Sequence, residues 1–341
     1  MKAISVKEPF RIELIDLEKP IPQKGEALLE VLYVGICGSD MSLYKGKMSG
    51  YASYPRVPGH ELAARIVEID EDNEYGLKKG MTVTVNPYYN CGKCYSCRRG
   101  FVNCCVDNQT MGLAREGVCA EYITMPLERI YDGKELDPLE LALIEPFCIS
   151  YHGVKRAEIQ PGENILVVGS GTIGLFAMVA AKLKGASVIM CDVAEEKLKM
   201  AVEIFGADGY ILNDNNDAFV EKVLKVTQGN KFDVAIEAVG FSSTLQNCLD
   251  AVASVGRVVE IGIGTQSMDF AYSMIQKKEI TLLGSRNAMR EDFEELINLA
   301  NKKKVDLKKF ISAVSDFRDA AEVFEKLAND PGKNIKTVLK F

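Results

Sequence analysis

The sequence of 341 residues lacks the long apolar segments from which membrane-spanning helices are built. The apolar run over residues 165–168 is followed at once by glycine, and no run approaches the length of about 20 apolar residues that a spanning helix needs. The first residues, Met1-Lys2-Ala3-Ile4-Ser5, contain neither the apolar core nor the small-residue cleavage site of a secretory leader. We therefore expect a cytoplasmic protein without a membrane partner.

Long basic runs are also missing. The longest one, Lys302–Lys304, lies in a helical pattern, and the formal net charge is -7 with a pI near 5.2. An acidic chain without a basic stripe does not match the phosphate backbone of nucleic acid, which we exclude as an expected partner. Hydrophobic residues at 47% and charged residues at 26% are ordinary for a globular protein, and the length predicts two domains.

Histidine is scarce, because the chain contains only His60 and His152. His60 stands in the motif Gly59-His60-Glu61, where a neutral imidazole can bind a metal and the adjacent carboxylate can support it. By itself, so short a motif fits a buried structural histidine better. His152 lies far from the other candidate ligands in the sequence, and we interpret it as a packing residue.

Cysteine, in contrast, is plentiful, with ten in the chain and five of them between Cys91 and Cys105. Because the cytoplasm keeps thiols reduced, this crowding indicates a metal site and not a set of disulfides. Cys91, Cys94 and Cys97 are three residues apart, and the pair Cys104-Cys105 follows them. Four thiolates on one loop predict a closed tetrahedral zinc site, which stabilises a lobe and does no chemistry.

Two further positions suggest a second metal site. Cys37 follows a strand pattern in the motif Gly35-Ile36-Cys37-Gly38-Ser39-Asp40. Glu145 precedes a proline in an otherwise apolar helical segment, where a carboxylate is costly to bury unless it is paired. A metal or its bound water would pair Glu145, and so would the dipole of a helix N-terminus.

Residues 164–192 carry a dinucleotide-binding fingerprint. An apolar strand leads into Gly169-Ser170-Gly171-Thr172-Ile173-Gly174, and a helical run and a second strand ending at Asp192 follow. The glycines allow the backbone to approach a pyrophosphate at the helix N-terminus. Asp192 should accept hydrogen bonds from the adenosine ribose and repel a 2′-phosphate, which favours NAD over NADP, although Lys197 weakens that exclusion.

Strand and helix patterns alternate from residue 164 to residue 284. Six short strands separated by helices predict a parallel doubly wound sheet. The earlier strands, with their turn-forming glycines and prolines, predict a β-rich, partly barrel-like domain. The expected fold is α/β, with one domain over residues 1–147 together with 288–341 and a second domain over residues 148–287.

In this order, the motifs around Cys37, His60, the four cysteines, Glu145 and Gly169 resemble those of the zinc-dependent medium-chain dehydrogenases, in their polyol (sorbitol) dehydrogenase branch. The similarity covers essentially the whole chain. It implies a GroES-like β-rich catalytic domain that includes both ends of the chain, and an inserted Rossmann domain. It also implies two zinc ions per chain and NAD.

The resemblance further assigns roles to individual residues. The ligands that it implies for the catalytic zinc, with the carboxylates binding directly or through water, are Cys37, His60, Glu61 and Glu145. For the structural zinc it selects Cys105 over Cys104 as the fourth ligand. It implies that Ser39 helps to remove the substrate proton. Many members carry a relay histidine where this chain has Ser42, so a route through Glu145 and water is the alternative.

In particular, the chain resembles bacterial dehydrogenases that oxidise L-galactonate or L-gulonate at C5. Arg286 resembles the substrate-contacting arginine of the polyol enzymes and could bind a carboxylate in bidentate fashion or hydroxyl groups singly. Tyr44 is a candidate wall of the substrate pocket, or equally a packing residue. Neutral polyols, polyol phosphates, threonine and simple alcohols are alternative substrates, and an NAD-binding regulator without catalysis is a different class. The family suggests homodimers or homotetramers.

Overall fold

The computed structural model describes residues 1–48, 50, 52–70, 72–214, 218–329, 332 and 334–341. These residues divide into two compact units. Unit 1 consists of residues 1–146 with 289–341, and unit 2 consists of residues 147–288. Each domain boundary expected from the sequence lies one residue away from the corresponding unit boundary. In the described residues, no helix combines the length and the hydropathy needed to cross a bilayer.

The strands and helices follow one another with short connections. In chain order the strands are β1 (Lys2–Glu8), β2 (Arg11–Asp16), β3 (Glu26–Gly35), β4 (Glu61–Glu68), β5 (Thr82–Val85), β6 (Tyr88–Tyr89), β7 (Gln109–Thr110), β8 (Tyr122–Pro126), β9 (Ile130–Asp132), β10 (Asn164–Val168), β11 (Ser187–Asp192), β12 (Gly209–Leu212), β13 (Phe232–Glu237), β14 (Val252–Glu260), β15 (Thr281–Gly284), β16 (Ile311–Asp316) and β17 (Lys336–Lys340). The α-helices are α1 (Gly38–Tyr44), α2 (Tyr95–Arg98), α3 (Pro138–Leu141), α4 (Ile144–Arg156), α5 (Thr172–Leu183), α6 (Glu195–Glu203), α7 (Phe219–Val226), α8 (Ser242–Ala251), α9 (Ser273–Lys278), α10 (Arg290–Asn301) and α11 (Ala320–Asn329).

Unit 1 is built around β3, a strand rich in the branched and aromatic residues that favour sheets. Its main sheet has the order β16-β17-β3-β4-β5-β9, and β8 also pairs with β3. The last strand, β17, runs antiparallel to β3 and places Val338 opposite Gly35. The end of the chain therefore completes the sheet that begins near its start, next to the motif that contains Cys37.

Unit 2 contains the doubly wound sheet that the alternating patterns predict. Its six parallel strands have the order β12-β11-β10-β13-β14-β15. In β10, Ile165–Val168 is buried throughout, as expected for a strand covered on both faces. The strand β14 begins at Val252, five residues before the expected start at Arg257, because Val252 already pairs with Phe232 ahead of a kink at Val255, where φ is +65°. The prediction of an α/β fold with a six-stranded sheet is confirmed.

Candidate functional site

Three candidate zinc ligands of unit 1 lie together. Cys37, His60 and Glu61 each offer a ligand atom, and these atoms lie within 4.8 Å of one another. Cys37 precedes α1, and Glu61 is the first residue of β4, directly opposite Gly35 of β3. A side chain at position 35 would collide with the Glu61 carboxylate, so the glycine there is required by this close approach. The thiolate, imidazole and carboxylate of these residues are ligand types that zinc accepts.

The environment of His60 also fits a metal ligand. His60 is 5% exposed, and its Nδ1 has no hydrogen-bond partner among the described residues. Burial alone would lower the pKa of His60, but the negative charges of Cys37 and Asp40 outweigh burial and hold it well above the usual range. A buried imidazole among anionic groups therefore needs either a proton or a cation, and a divalent metal ion is such a cation.

Asp40 orients the two loops that carry these ligands. It is 1% exposed, and its carboxylate accepts hydrogen bonds from the backbone N–H of Cys37 and from that of Gly59, each at 2.9 Å. Its Oδ1 lies 3.9 Å from Nδ1 of His60. Burial raises the pKa of Asp40 above its ordinary value. The motif around Cys37 does not reveal this role of Asp40, since nothing local shows that Asp40 reaches Gly59.

Glu61 already has a cationic partner. Both of its carboxylate oxygens lie 2.7 Å from Nζ of Lys336, which also donates to the backbone carbonyl of Ile36 at 3.1 Å. Lys336 and Glu61 are 3% and 1% exposed, so the ion pair is fully buried. Glu61 is therefore held by β17 as well as by its own strand. Sequence reasoning missed Lys336, although a lysine inside the apolar C-terminal strand was a visible signal.

Glu145 is not one of the three residues whose ligand atoms lie within 4.8 Å. It is 1% exposed, and its Oε1 accepts a hydrogen bond from the hydroxyl of Tyr88. Burial raises the pKa of Glu145 to about 7, although the positive charge of His60 acts in the opposite direction. Glu145 lies near enough to act electrostatically on His60 and Glu61, and Tyr88 is a partner that sequence spacing could not reveal.

The two serines of the predicted proton route have different surroundings. The hydroxyl of Ser39 is buried and has no hydrogen-bond partner in the part of the chain that the structure describes. The hydroxyl of Ser42 donates to the carbonyl of Gly38 at 3.0 Å, one turn earlier in α1. Ser42 is thus tied to its own helix and does not replace a relay histidine.

The two expected substrate residues lie in different units. Tyr44 is 5% exposed, and its ring packs edge-on against Phe10 and Phe324 at centroid distances of 5.5 and 5.6 Å. Tyr44 also lines a cavity together with Arg11 and Glu325, so a pocket wall and a packing residue both remain predictions for it. Arg286 lies exposed in the loop that follows β15 in unit 2.

The four predicted structural ligands form a separate cluster in unit 1. The sulfur atoms of Cys91, Cys94, Cys97 and Cys105 lie within 4.8 Å of one another. Backbone N–H groups support them, since Cys91 donates to Sγ of Cys105 at 3.2 Å and Cys94 donates to Sγ of Cys91 at 3.3 Å. The Ser96 hydroxyl and backbone donors lower the pKa of Cys94 to about 5. Cys104 is exposed and lies outside the cluster.

In unit 2 the fingerprint forms the expected tight turn between β10 and α5. Gly169 has a φ of +105°, and Gly171 is the N-cap of α5. Thr172 and Ile173 are the first residues of α5, and a side chain at Gly174 would collide with the carbonyl oxygen of Gly169. The turn therefore presents bare backbone at a helix N-terminus, which fits a pyrophosphate.

Asp192 ends β11, the strand beside β10. Its Oδ2 accepts from the backbone N–H of Ser170 at 2.6 Å, and its Oδ1 accepts from that of Ala194 at 3.0 Å. Each oxygen keeps a lone pair for a ribose hydroxyl, so the carboxylate can still serve the expected role. Lys197 is half-buried in the first turn of α6.

Comparisons with known proteins support these observations. Residues 23–134 match the alcohol dehydrogenase GroES-like domain, and residues 172–302 match the zinc-binding dehydrogenase family. The L-galactonate-5-dehydrogenase of Escherichia coli K12 is 34% identical over 344 residues, which cover 100% of this chain and 99% of that protein. The sorbitol dehydrogenase of Halalkalibacterium halodurans is 31% identical over 299 residues, 86% of each chain.

A solved structure shows the same architecture. A short chain alcohol dehydrogenase from Escherichia coli CFT073, complexed with the cofactor NADH, has a TM-score of 0.92 and 28% identity. The match covers 100% of this chain and 99% of that one. The predicted GroES-like and Rossmann fold, the dehydrogenase class, and zinc and a nicotinamide dinucleotide as cofactors are confirmed at the level of the family. The chain is an oxidoreductase that belongs to the family of zinc-binding dehydrogenases.

Proposed function

We propose that the protein oxidises a secondary hydroxyl group of a sugar acid to the ketone with NAD, at C5 of L-gulonate or L-galactonate. The observation that carries the proposal is the cluster of Cys37, His60 and Glu61 within 4.8 Å, in a chain that is similar over its whole length to an L-galactonate-5-dehydrogenase. A neutral polyol, a polyol phosphate, threonine or a simple alcohol would be oxidised by the same chemistry.

The residues that would hold the cofactors follow from the geometry. Cys37, His60 and Glu61 would hold the catalytic zinc, with Glu145 bound directly or through water, and the four-cysteine cluster would hold the structural zinc. The turn over residues 169–174 would hold the pyrophosphate of NAD. When bound, zinc supplies a Lewis acid that lowers the pKa of a hydroxyl group, and NAD supplies the hydride acceptor.

Oxidation of an alcohol releases a proton as well as a hydride, and side chains are needed to remove the proton. Ser39 can hydrogen-bond the substrate hydroxyl and so take part in removing its proton, since its own hydroxyl is buried and has no partner among the described residues. Glu145, with Tyr88 bonded to its carboxylate, offers the second route. Arg286, which resembles the substrate-contacting arginine of the polyol enzymes, would bind the substrate carboxylate in bidentate fashion or its hydroxyl groups singly.

A substrate screen tests the proposal directly. The zinc-loaded protein is assayed with NAD and then with NADP against L-gulonate, L-galactonate, hexitols, threonine and simple alcohols. We expect the highest kcat/KM for an aldonate and a preference for NAD, because Asp192 would repel a 2′-phosphate. A hexitol or threonine as the best substrate would overturn the choice of a sugar acid and leave the reaction class intact.

The two histidines provide a matched pair of variants. His60→Ala should lose one of two zinc ions per chain and all turnover, while NADH still binds, because the fingerprint lies in the other unit. His152→Ala should keep both zinc ions and its turnover. Undiminished activity in His60→Ala would contradict the metal assignment.

Arg286 can be tested through the substrate. If it binds a carboxylate, Arg286→Ala should lower kcat/KM for aldonates by about tenfold or more, the cost of losing one charge-assisted hydrogen bond, and should affect hexitols much less. Arg286→Lys should recover only part of the loss, since lysine cannot form the bidentate pair. Equal losses on both substrates would exclude the role.

A protein that binds NAD without catalysis is the alternative from a different class. It would contain only the structural zinc and would oxidise none of these alcohols, whereas two zinc ions and turnover support the enzyme. For the assembly we propose a homodimer or a homotetramer, and light scattering on the purified protein distinguishes the two from a monomer.

A further inference from the structure

A buried carboxylate at the carboxyl end of β13 has no role in the reaction described above. Glu237 is 1% exposed. Its Oε1 accepts three hydrogen bonds, from the backbone N–H groups of Val239 and Gly240 at 2.9 Å each and from the Thr244 hydroxyl at 2.7 Å. Its Oε2 is buried and has no partner among the residues described by the structure. One side chain thus fixes the whole turn between β13 and α8.

That turn lies against the dinucleotide fingerprint. A Cβ added to Gly169 would be 2.7 Å from Cγ2 of Val239 and 3.3 Å from the carbonyl oxygen of Ala238. The backbone N–H of Ala238 also donates to the carbonyl of Val168 at 2.9 Å. The turn held by Glu237 and the glycine turn after β10 are therefore in direct contact.

The contact occurs where doubly wound sheets bind their ligands. The strands β10 and β13 are parallel neighbours, with Val168 opposite Glu237, and the strand order reverses its direction between them. Ligands of such sheets bind in the crevice beyond the carboxyl ends of the strands at this switch point. Both turns follow carboxyl ends, so both border that crevice.

The loop after β14 closes the opposite side. The backbone N–H groups of Ile261 and Gly262 donate to the carbonyl of Glu237 at 2.9 and 3.2 Å. A side chain at Gly262 would collide with Oε2 of Glu237, and a Cβ on Gly240 would lie 2.8 Å from the carbonyl oxygen of Ile263. The loops after β13 and β14 thus meet at one carboxylate, and the first of them contacts the loop after β10, through glycines that leave no room for side chains.

We propose that Glu237 is a positioning residue for the nicotinamide dinucleotide. By holding the Val239–Gly240 turn against Gly169, it fixes the shape of the backbone surface on which the cofactor lies. Because the buried Oε2 makes no hydrogen bond among the described residues, the three bonds to Oε1 are what tie this carboxylate to the turn. An anionic acceptor forms the strongest bonds to three converging donors, and such rigidity lowers the ordering cost of binding.

The inference rests on the proposed use of NAD, and it is tested by NADH affinity in the zinc-loaded protein, without substrate. Because the chain contains no tryptophan, the emission of the bound nicotinamide is followed directly. Glu237→Ala should weaken NADH binding at least about tenfold, since it removes bonds to a charged group, and should leave kcat at saturating NAD almost unchanged. Glu237→Gln keeps the Oε1 acceptor without its charge and should recover part of the affinity, because hydrogen bonds to a neutral acceptor are weaker.

Two further variants complete the test. Thr244→Val removes one of the three donors and should weaken binding by a smaller factor, which keeps the inference testable if Glu237→Ala does not fold. Glu203→Ala, at an exposed position of α6, is the matched control and should bind NADH like the wild type. Unchanged affinity in Glu237→Ala, or a loss in Glu237→Gln as large as in Glu237→Ala, would overturn the inference. A wild-type protein that does not bind NADH would instead refute the proposed function.

Discussion

The buried ion pair between Glu61 and Lys336 gives a sharp prediction about stability. The two side chains are 1% and 3% exposed, and Nζ of Lys336 lies 2.7 Å from both carboxylate oxygens. Lys336→Met retains most of the side-chain volume but leaves the Glu61 charge buried without its partner. Removing one member of such a pair costs about 3–5 kcal/mol, which is roughly two to three and a half powers of ten in the unfolding equilibrium.

The contribution of the Glu61–Lys336 ion pair to the free energy of unfolding depends on pH, and the pKa of Lys336 gives the direction of that dependence. Burial lowers the pKa of Lys336, but the negative charge of Glu61 outweighs burial, and the pKa lies above its ordinary value. A raised lysine pKa stabilises the fold at every pH below the unfolded value of about 10.4, and the contribution is lost only as the pH rises through the folded value. The difference between wild type and variant should therefore be present at neutral pH and shrink as the pH rises into the alkaline range.

Urea denaturation followed by circular dichroism measures the effect, with zinc counted in every variant. Lys336→Arg should retain most of the stability, and Lys340→Met, on the exposed end of the same strand, is the control for any effect of the strand itself. In preparations without the catalytic zinc, for which Glu61 is a proposed ligand, the double variant Glu61→Gln with Lys336→Met removes both charges and should be more stable than Lys336→Met alone. A loss below about 1 kcal/mol in Lys336→Met, or a double variant no better than the single one, would refute the reasoning.

Three further predictions concern the other sites. Cys97→Ser should leave one zinc ion per chain by metal analysis and make the lobe sensitive to protease, while retention of both ions would exclude the four-thiolate site. Gly174→Ala should destabilise unit 2 by about 1–3 kcal/mol and weaken NADH binding, because the added methyl group meets the carbonyl of Gly169, and equal NADH titrations would contradict this. Burial raises the pKa of Asp208, but the Lys182 ammonium and a backbone donor outweigh burial and lower it. The stability that Asp208 contributes is therefore present above about pH 3.9 and lost as the pH falls below that. The free energy of unfolding of Asp208→Asn, measured by thermal melting, should differ from that of the wild type by less than about 1 kcal/mol at pH 7, and the difference should vanish in acid.

The sequence was sufficient wherever the signal is local. The fingerprint turn over residues 169–174, the six strands around it and the spacing of Cys91, Cys94 and Cys97 are each determined by neighbouring residues. The periodicity also showed that Glu145 is costly to bury without a partner. In these cases residues within about ten positions of one another determine the local structure, so the sequence pattern is sufficient to predict it.

The partners of the site residues could not be predicted, because they come from distant parts of the chain. Lys336 reaches Glu61 across 275 residues, and Tyr88 reaches Glu145 across 57. Glu237 is the last residue of an ordinary apolar strand, and its importance depends on donors in the following turn. For Tyr44 the sequence left a pocket wall and a packing residue equally open, and only the structure shows that the ring packs between Phe10 and Phe324.

The position of Lys336 on the last strand has a consequence for synthesis on the ribosome. At about 5–20 residues per second, the 275 residues between Glu61 and its counter-ion take about 15–55 s to translate. During that time the sheet of unit 1 lacks both β17 and the ion pair that offsets burial of the carboxylate, whereas all of segment 147–288 has already been made. The first-made residues of unit 1 therefore obtain their last partners only after the whole of unit 2 has been synthesised. A nascent chain that stops before residue 336 would contain all of unit 2 but would lack the strand that pairs with β3.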